Sequence, residues 1–233
     1  MITSNTPSTS ESLFGQVSGP PSFGRYISRR LSIFKRISSS FSKTTSETDS
    51  FSHIIIGSLS YDGTTALPRL RGTKYDCCLM LKRSGYLHGD TSGGITLLND
   101  FPVSFEDANG VEKVVPKADT SPKAIESAIR KTILKATAGS RVLFYFGGHG
   151  EEMQKHRFSL SAENPPQVII VGNGERVSGS KLRSWLITGA NPGVSVTAVF
   201  DACSSAGILG LSYQYEYCSK GIQIEKSPIK RRQ

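Results

Sequence analysis

Apolar and polar positions along this chain fall into short blocks, and the lengths and periods of the blocks predict the elements. Three runs are apolar and of strand length: HIIIGSL at 53–59, RVLFYF at 141–146 and VSVTAVF at 194–200. Their β-branched and aromatic content predicts strands buried on both faces, the kind a parallel sheet uses. ITLL at 95–98 and VIIV at 168–171 are shorter runs of the same type. Between them the period changes. Ala124, Ile125, Ala128, Ile129, Ile133 and Leu134 recur at helical spacing, behind Ser121 at N-cap and Pro122 at N1. A helix over roughly 74–84 follows from Leu79 and Met80, with Tyr86 just beyond as a core candidate. Another, over 181–188, is capped by Ser180 and turns Leu182, Trp185 and Leu186 inward. Residues 99–119 are polar and broken by Pro102, Gly110 and Pro116, which predicts a long loop with room for a hairpin. The order β-α-β-α-β-loop-β-α-β predicts an α/β fold, a mainly parallel sheet with helices on both faces.

Two of the strands end in the same way. Phe146 runs into Gly147-Gly148-His149-Gly150, and Phe200 runs into Asp201-Ala202-Cys203-Ser204-Ser205. Open α/β sheets place their chemistry at the carboxyl ends of parallel strands, so each strand delivers one reactive side chain to that edge. Cysteine attacks carbonyls as the thiolate, and a histidine within reach takes its proton. The glycines around His149 let backbone come close to a substrate, and the Gly150 N–H is free to face an oxyanion. His53, His88 and His156 have no such setting. Gly147-Gly148 and the later Gly172-Asn173-Gly174 fit neither phosphate-loop pattern, which excludes a nucleotide site.

Charge changes the picture little. The net charge is +9 over 233 residues. Six Lys and Arg against three acids lie in residues 1–50, and five against one in residues 218–233, so the middle is nearly balanced. The basicity belongs to the ends, which argues against a nucleic-acid face on the folded part. Residues 1–50 are rich in Ser, Thr, Pro and Gly and are expected to be disordered. Within them, RYISRRLSIFKRISSSF at 25–41 sets Ile27, Leu31, Phe34, Ile37 and Phe41 at helical spacing among basic residues. It is open to two readings: a face for an anionic membrane surface, or a solvated basic tail. The expected organisation is a basic N-terminal region at 1–50, a folded domain at 51–217 and a basic tail at 218–233. The four cysteines, Cys77, Cys78, Cys203 and Cys218, form no C-x-x-C and no disulfide framework. With no secretory leader and no membrane-length apolar run, the expected compartment is the cytoplasm, with the nucleus also open.

These residues carry a family resemblance. FYFGGHG at 144–150 resembles the strand and S-G-H-G segment of the caspase and metacaspase clan (peptidase family C14). FDACSSAG at 200–207 is similar to the metacaspase D-x-C-x-S-G segment, with one alanine inserted before the glycine. Leu70-Arg71-Gly72-Thr73-Lys74-Tyr75-Asp76 resembles the L-R-G-C-x-N-D segment after the first strand. The separation of 54 positions from His149 to Cys203 is also near the caspase spacing of about 50. The resemblance implies a three-layer α/β/α caspase-like fold and a cysteine endopeptidase. Cys203 would be the nucleophile and His149 the general base, with the backbone N–H groups of Gly150 and Cys203 holding the oxyanion. Asp76 and Asp201 match the acidic residues of the substrate pocket, which implies protein or peptide substrates with Arg or Lys at P1. Asp76 also reads as a solvated helix acid, and Asp201 as a cap on the turn that follows it.

The resemblance has three departures. The family's calcium-binding acidic cluster is reduced to Glu163 and Glu175, too few oxygen ligands, so no cofactor or metal is expected. The usual Cys-His-Ser is Cys203-Ser204-Ser205. The chain ends 30 residues after Cys203, which implies either truncation or a large-subunit-like piece lacking the small-subunit strands. On that expectation a small-subunit-like partner or self-association would complete it. The alternative function is a catalytically weak caspase-like module acting as a scaffold or regulator in proteolysis or cell death.

Overall fold

The computed structural model describes residues 51–84, 94–106, 110–153, 166–218 and 221–226. The basic segment at 25–41, the core candidate Tyr86 and Glu163 lie outside them. Four strands form the main sheet: β1 (His53–Ser58), β2 (Ile95–Asn99), β5 (Arg141–Gly147) and β9 (Ser195–Asp201). Their order is β2-β1-β5-β9, and all three pairings are parallel. Three helical segments are described: α1 (Thr73–Arg83), α2 (Pro122–Lys135) and α3 (Gly179–Arg183), the last continuing as a π-helical turn, Ser184–Thr188.

Alternation along the strands divides the core. Ile55, Val142, Phe144 and Phe146 face one layer, where Ile125, Ile129 and Ile133 of α2 meet Leu182, Trp185 and Leu186. In register with them but one residue out of phase, Ile54, Ile56, Leu143 and Tyr145 are buried on the other side, the side that α1 packs against. This is the α/β/α layering expected for a caspase-like fold. The Ser121 cap forms as read, its hydroxyl accepting from the Ala124 N–H at 3.3 Å. The 99–119 stretch does contain a hairpin, β3 (Val103–Glu106) against β4 (Glu112–Val115).

Four details differ from the sequence reading. The VIIV run is buried but does not join the parallel sheet. As β7 (Gln167–Ile170) it stands between β6 (Gly150–Glu152) and β8 (Arg176–Ser178) in a small antiparallel sheet. A short apolar run reports burial and not which sheet buries it. The last helix begins two residues early, because Ser178 and not Ser180 accepts from the Lys181 N–H; the Ser-Gly-Ser sequence offers two caps. Leu134 is 70% exposed, since Ile125, Ile129 and Ile133 already fill the i, i+4, i+8 stripe of α2. Beyond Cys203 a hairpin, β10 (Tyr213–Cys218) with β11 (Gly221–Lys226), crosses the boundary drawn between domain and tail.

Candidate active site

β5 and β9 are neighbours, with Phe146 beside Phe200 and Gly147 beside Asp201. His149 and Cys203 therefore each stand two residues past the ends of adjacent strands. The Gly148 N–H still bonds the Asp201 carbonyl at 3.3 Å, so the two loops leave the sheet together. They meet again at Gly150. A β-carbon there would overlap the Cys203 carbonyl oxygen and lie 3.3 Å from Cβ of Ala202. Only glycine lets the histidine loop lie against the cysteine turn at this distance.

The imidazole of His149 is held on several sides. Its Nε2 lies 2.7 Å from the carbonyl oxygen of Pro68. A carbonyl can only accept, so Nε2 carries a proton, and in the neutral ring Nδ1 keeps the one lone pair. The His149 main-chain N–H donates to the Tyr61 hydroxyl at 2.8 Å, and its carbonyl accepts from Ile170 at 3.0 Å. The Tyr61 ring lies 4.7 Å from the imidazole, tilted by 40°.

Cys203 is exposed. The turn that carries it is tight: Ser204 adopts a left-handed φ of 49°, and the Ser205 hydroxyl donates to the Ala202 carbonyl at 2.9 Å. A non-glycine residue in that region is strained by about 1–3 kcal/mol. The turn is pinned at its far end, where Arg183 donates to the carbonyls of Leu209 and Gly210 at 2.8 and 2.6 Å. The vicinal cysteines differ from Cys203. Cys77 is buried in α1, and desolvation pushes its thiol up to about 12. Desolvation also raises the Cys78 thiol, which is half-buried.

Asp76 and Asp201 both belong to the α1 side of the sheet. Asp76 is only 4% exposed on the first turn of α1, which rules out a solvated helix acid. Asp201 shares the strand phase of Tyr145, whose buried hydroxyl lies 3.4 Å from its Oδ2. Sequence reasoning missed Tyr61, Pro68 and Tyr145. Tyr145 hides in an apolar strand. Tyr61 and Pro68 lie in a polar loop, where one signal was present: that loop leaves the same end of β1 that the sheet uses for chemistry. Among the described residues no three His, Cys, Asp or Glu side chains gather to hold a metal ion, and the Glu175 N–H caps locally onto Asn173 at 3.2 Å.

Comparison with known proteins adds to this geometry. Residues 53–231 match the model of a family described as "Caspase domain", the C14 peptidases. The chain is similar to Metacaspase-1 of Plasmodium falciparum (isolate 3D7), 26% identical over 169 residues, which cover 68% of this chain and 26% of that protein. The chain thus spans about a quarter of the length of the curated relative it matches. A crystal structure of protein GSU0716 from Geobacter sulfurreducens aligns at a TM-score of 0.45 and 13% identity, over 70% of this chain and 56% of that one.

Proposed function

From its place in the caspase-domain family, to which the chain belongs, we propose that it is a cysteine endopeptidase whose Cys203–His149 dyad cleaves after Arg or Lys. The observation that carries this is the close approach of Gly150 to the Cys203 carbonyl, which puts the histidine loop and the thiol turn side by side. The chemistry follows from the tautomer. With Nε2–H given to Pro68, Nδ1 takes the proton of the Cys203 thiol, and the thiolate adds to the scissile carbonyl carbon. The negative charge that develops on the carbonyl oxygen is met by the backbone N–H groups of Gly150 and Cys203. The imidazolium returns its proton to the departing amine, leaving a thioester on Cys203. Water, deprotonated by the same nitrogen, then hydrolyses it and regenerates the thiol. The Pro68 carbonyl supports the ring while it is charged.

The pocket supports a basic P1. Buried Asp76 and half-buried Asp201 put two carboxylates on the α1 side of the sheet, Asp201 two residues before the thiol, and carboxylates favour guanidinium or ammonium over another carboxylate. A second reading, a catalytically weak module used as a scaffold or regulator, is favoured by one feature. β9 is the outermost strand of the described main sheet, and Leu211 and Tyr213 beside it are 49% and 55% exposed. Incubation with fluorogenic peptides ending in Arg, Lys or Asp separates the two. Cleavage of the Arg and Lys peptides, absent in Cys203→Ala, is the expected result. Equal cleavage after Asp would remove the acidic-pocket reading, and no cleavage at all would favour the scaffold.

A further inference from the structure

The residues that hold the histidine are themselves held, and they lead back to one side chain outside the dyad. Tyr61 is 1% exposed and has a left-handed φ of 61°, unusual for an aromatic residue. Its hydroxyl donates to the Ile170 carbonyl at 2.6 Å and accepts from the His149 N–H at 2.8 Å. Desolvation keeps the phenol well above its ordinary value, so the donor persists through the working pH range. Its own N–H donates to Asp100 Oδ2 at 2.6 Å, and the Ser60 N–H donates to Asp100 Oδ1 at 2.7 Å. Asp100 follows β2, so its carboxylate ties the start of the 60–70 loop to the far side of β1. The loop closes on itself where the Leu70 N–H meets the Ser60 carbonyl at 2.9 Å, and Pro68 lies inside that closure.

Two contacts on the histidine therefore come from one loop: Tyr61 on its main chain and ring face, Pro68 on Nε2. Neighbouring glycine makes room for this. A β-carbon on Gly148 would lie 2.7 Å from the Tyr61 hydroxyl and 2.8 Å from Phe146 Cζ.

We propose that Tyr61, latched by Asp100, is the positioning residue of the dyad, fixing the His149 loop so that Nε2 stays on Pro68 and Nδ1 remains free to take the Cys203 proton. The proposal rests on the Cys203–His149 reading. The strained backbone at Tyr61 fits it, because a residue held in a sparsely populated region persists only where its surroundings over-determine it.

The test uses the full chain and two variants, Tyr61→Phe and Asp100→Asn, beside His149→Ala. Phenylalanine keeps the ring against the imidazole and removes only the hydroxyl, whereas Asp100→Asn keeps the hydroxyl and weakens the latch. Two readouts are taken: the rate at which iodoacetamide labels Cys203 at neutral pH, and the NMR signal of the His149 Nε2 proton on Pro68. In Tyr61→Phe the labelling rate is expected to fall roughly tenfold, about what one lost hydrogen bond is worth, with the Nε2–H signal lost or broadened. Asp100→Asn should move both in the same direction by less, and it serves alone if Tyr61→Phe does not fold. A variant that melts earlier but keeps the wild-type labelling rate and Nε2–H signal overturns the proposal, since Tyr61 would then be structural only. Labelling of wild-type Cys203 that is already as slow as in His149→Ala identifies a different failure, that of the dyad itself.

Discussion

The two loops that make the candidate site are built to opposite standards. The His149 loop continues from a central strand, and Tyr61, Pro68 and Ile170 hold its main chain and ring. The Cys203 turn continues from the outermost strand of the described sheet and presents its thiol to solvent. Its anchors lie on either side of the thiol: the Ser205 and Arg183 hydrogen bonds, the packing of Ala202, Ile208 and Leu209 on the core, and the approach of Gly150. A general base must hold one tautomer and one orientation, and that needs a rigid surround. A nucleophile must reach a substrate that arrives from outside, so its turn stays open. Gly150 is where the two loops meet.

The comparison breaks most directly at that contact. Gly150→Ala forces the β-carbon into the Cys203 carbonyl and separates the loops. Overpacking of this kind costs about 1–3 kcal/mol of stability. Displacing the reacting groups by about an ångström costs roughly a hundredfold in rate. Peptide turnover by Gly150→Ala should thus fall far more than its melting temperature, and parallel losses would mean that Gly150 serves only the fold. The pocket comes next. Replacing Asp76 with Ala should lower kcat/KM for an Arg peptide by roughly 2–4 kcal/mol. Asp201→Ala should cost less, since Asp201 is only half-buried. Steady-state kinetics on Arg and Lys peptides measure both, and an unchanged kcat/KM in Asp76→Ala would remove that carboxylate from recognition.

A smaller effect separates the cysteines. Burial raises the thiols of Cys77 and Cys78, so at neutral pH they should be alkylated more slowly than exposed Cys203, with Cys77 slowest. Mass-spectrometric mapping gives the order directly. The smallest concerns the loop under His149. Lys74, hydrogen-bonded to Asp62, with Arg69 alongside, holds the Asp62 carboxyl below the usual carboxylate range. A depressed folded value contributes stability above the ordinary carboxylate pKa of about 4, and the contribution fades as pH falls through the folded value. The melting-temperature difference between wild type and Asp62→Asn should therefore be small and flat near neutrality and vanish in strong acid. A difference that grows on acidification would reverse the sign of this linkage.

The strand ends that carry the candidate site were legible in the sequence, because period and punctuation are local properties. The strand-then-glycine break at 147–150 and the Phe200–Ser205 turn each declare an end of a strand, and the layering follows from helical and strand periods. What was not legible depends on contacts between distant segments. Nothing local marks the carbonyl of Pro68 as the acceptor for a ring 81 residues away, because every residue has a carbonyl. Tyr61 reads as one aromatic in a polar loop until Asp100, 39 residues on, is placed on its N–H. The VIIV run misled for the same reason: its apolar content was local, but its pairing with β6 was not.

The central claim is that two such differently held loops act as one dyad. Iodoacetamide labelling of the full chain at neutral pH, mapped peptide by peptide in wild type and His149→Ala, tests it most directly. The dyad predicts that Cys203 is the fastest-labelled cysteine and that His149→Ala slows it while leaving Cys77 and Cys78 unchanged. Cys203 labelled no faster than Cys218, or at the same rate with and without the imidazole, would contradict it.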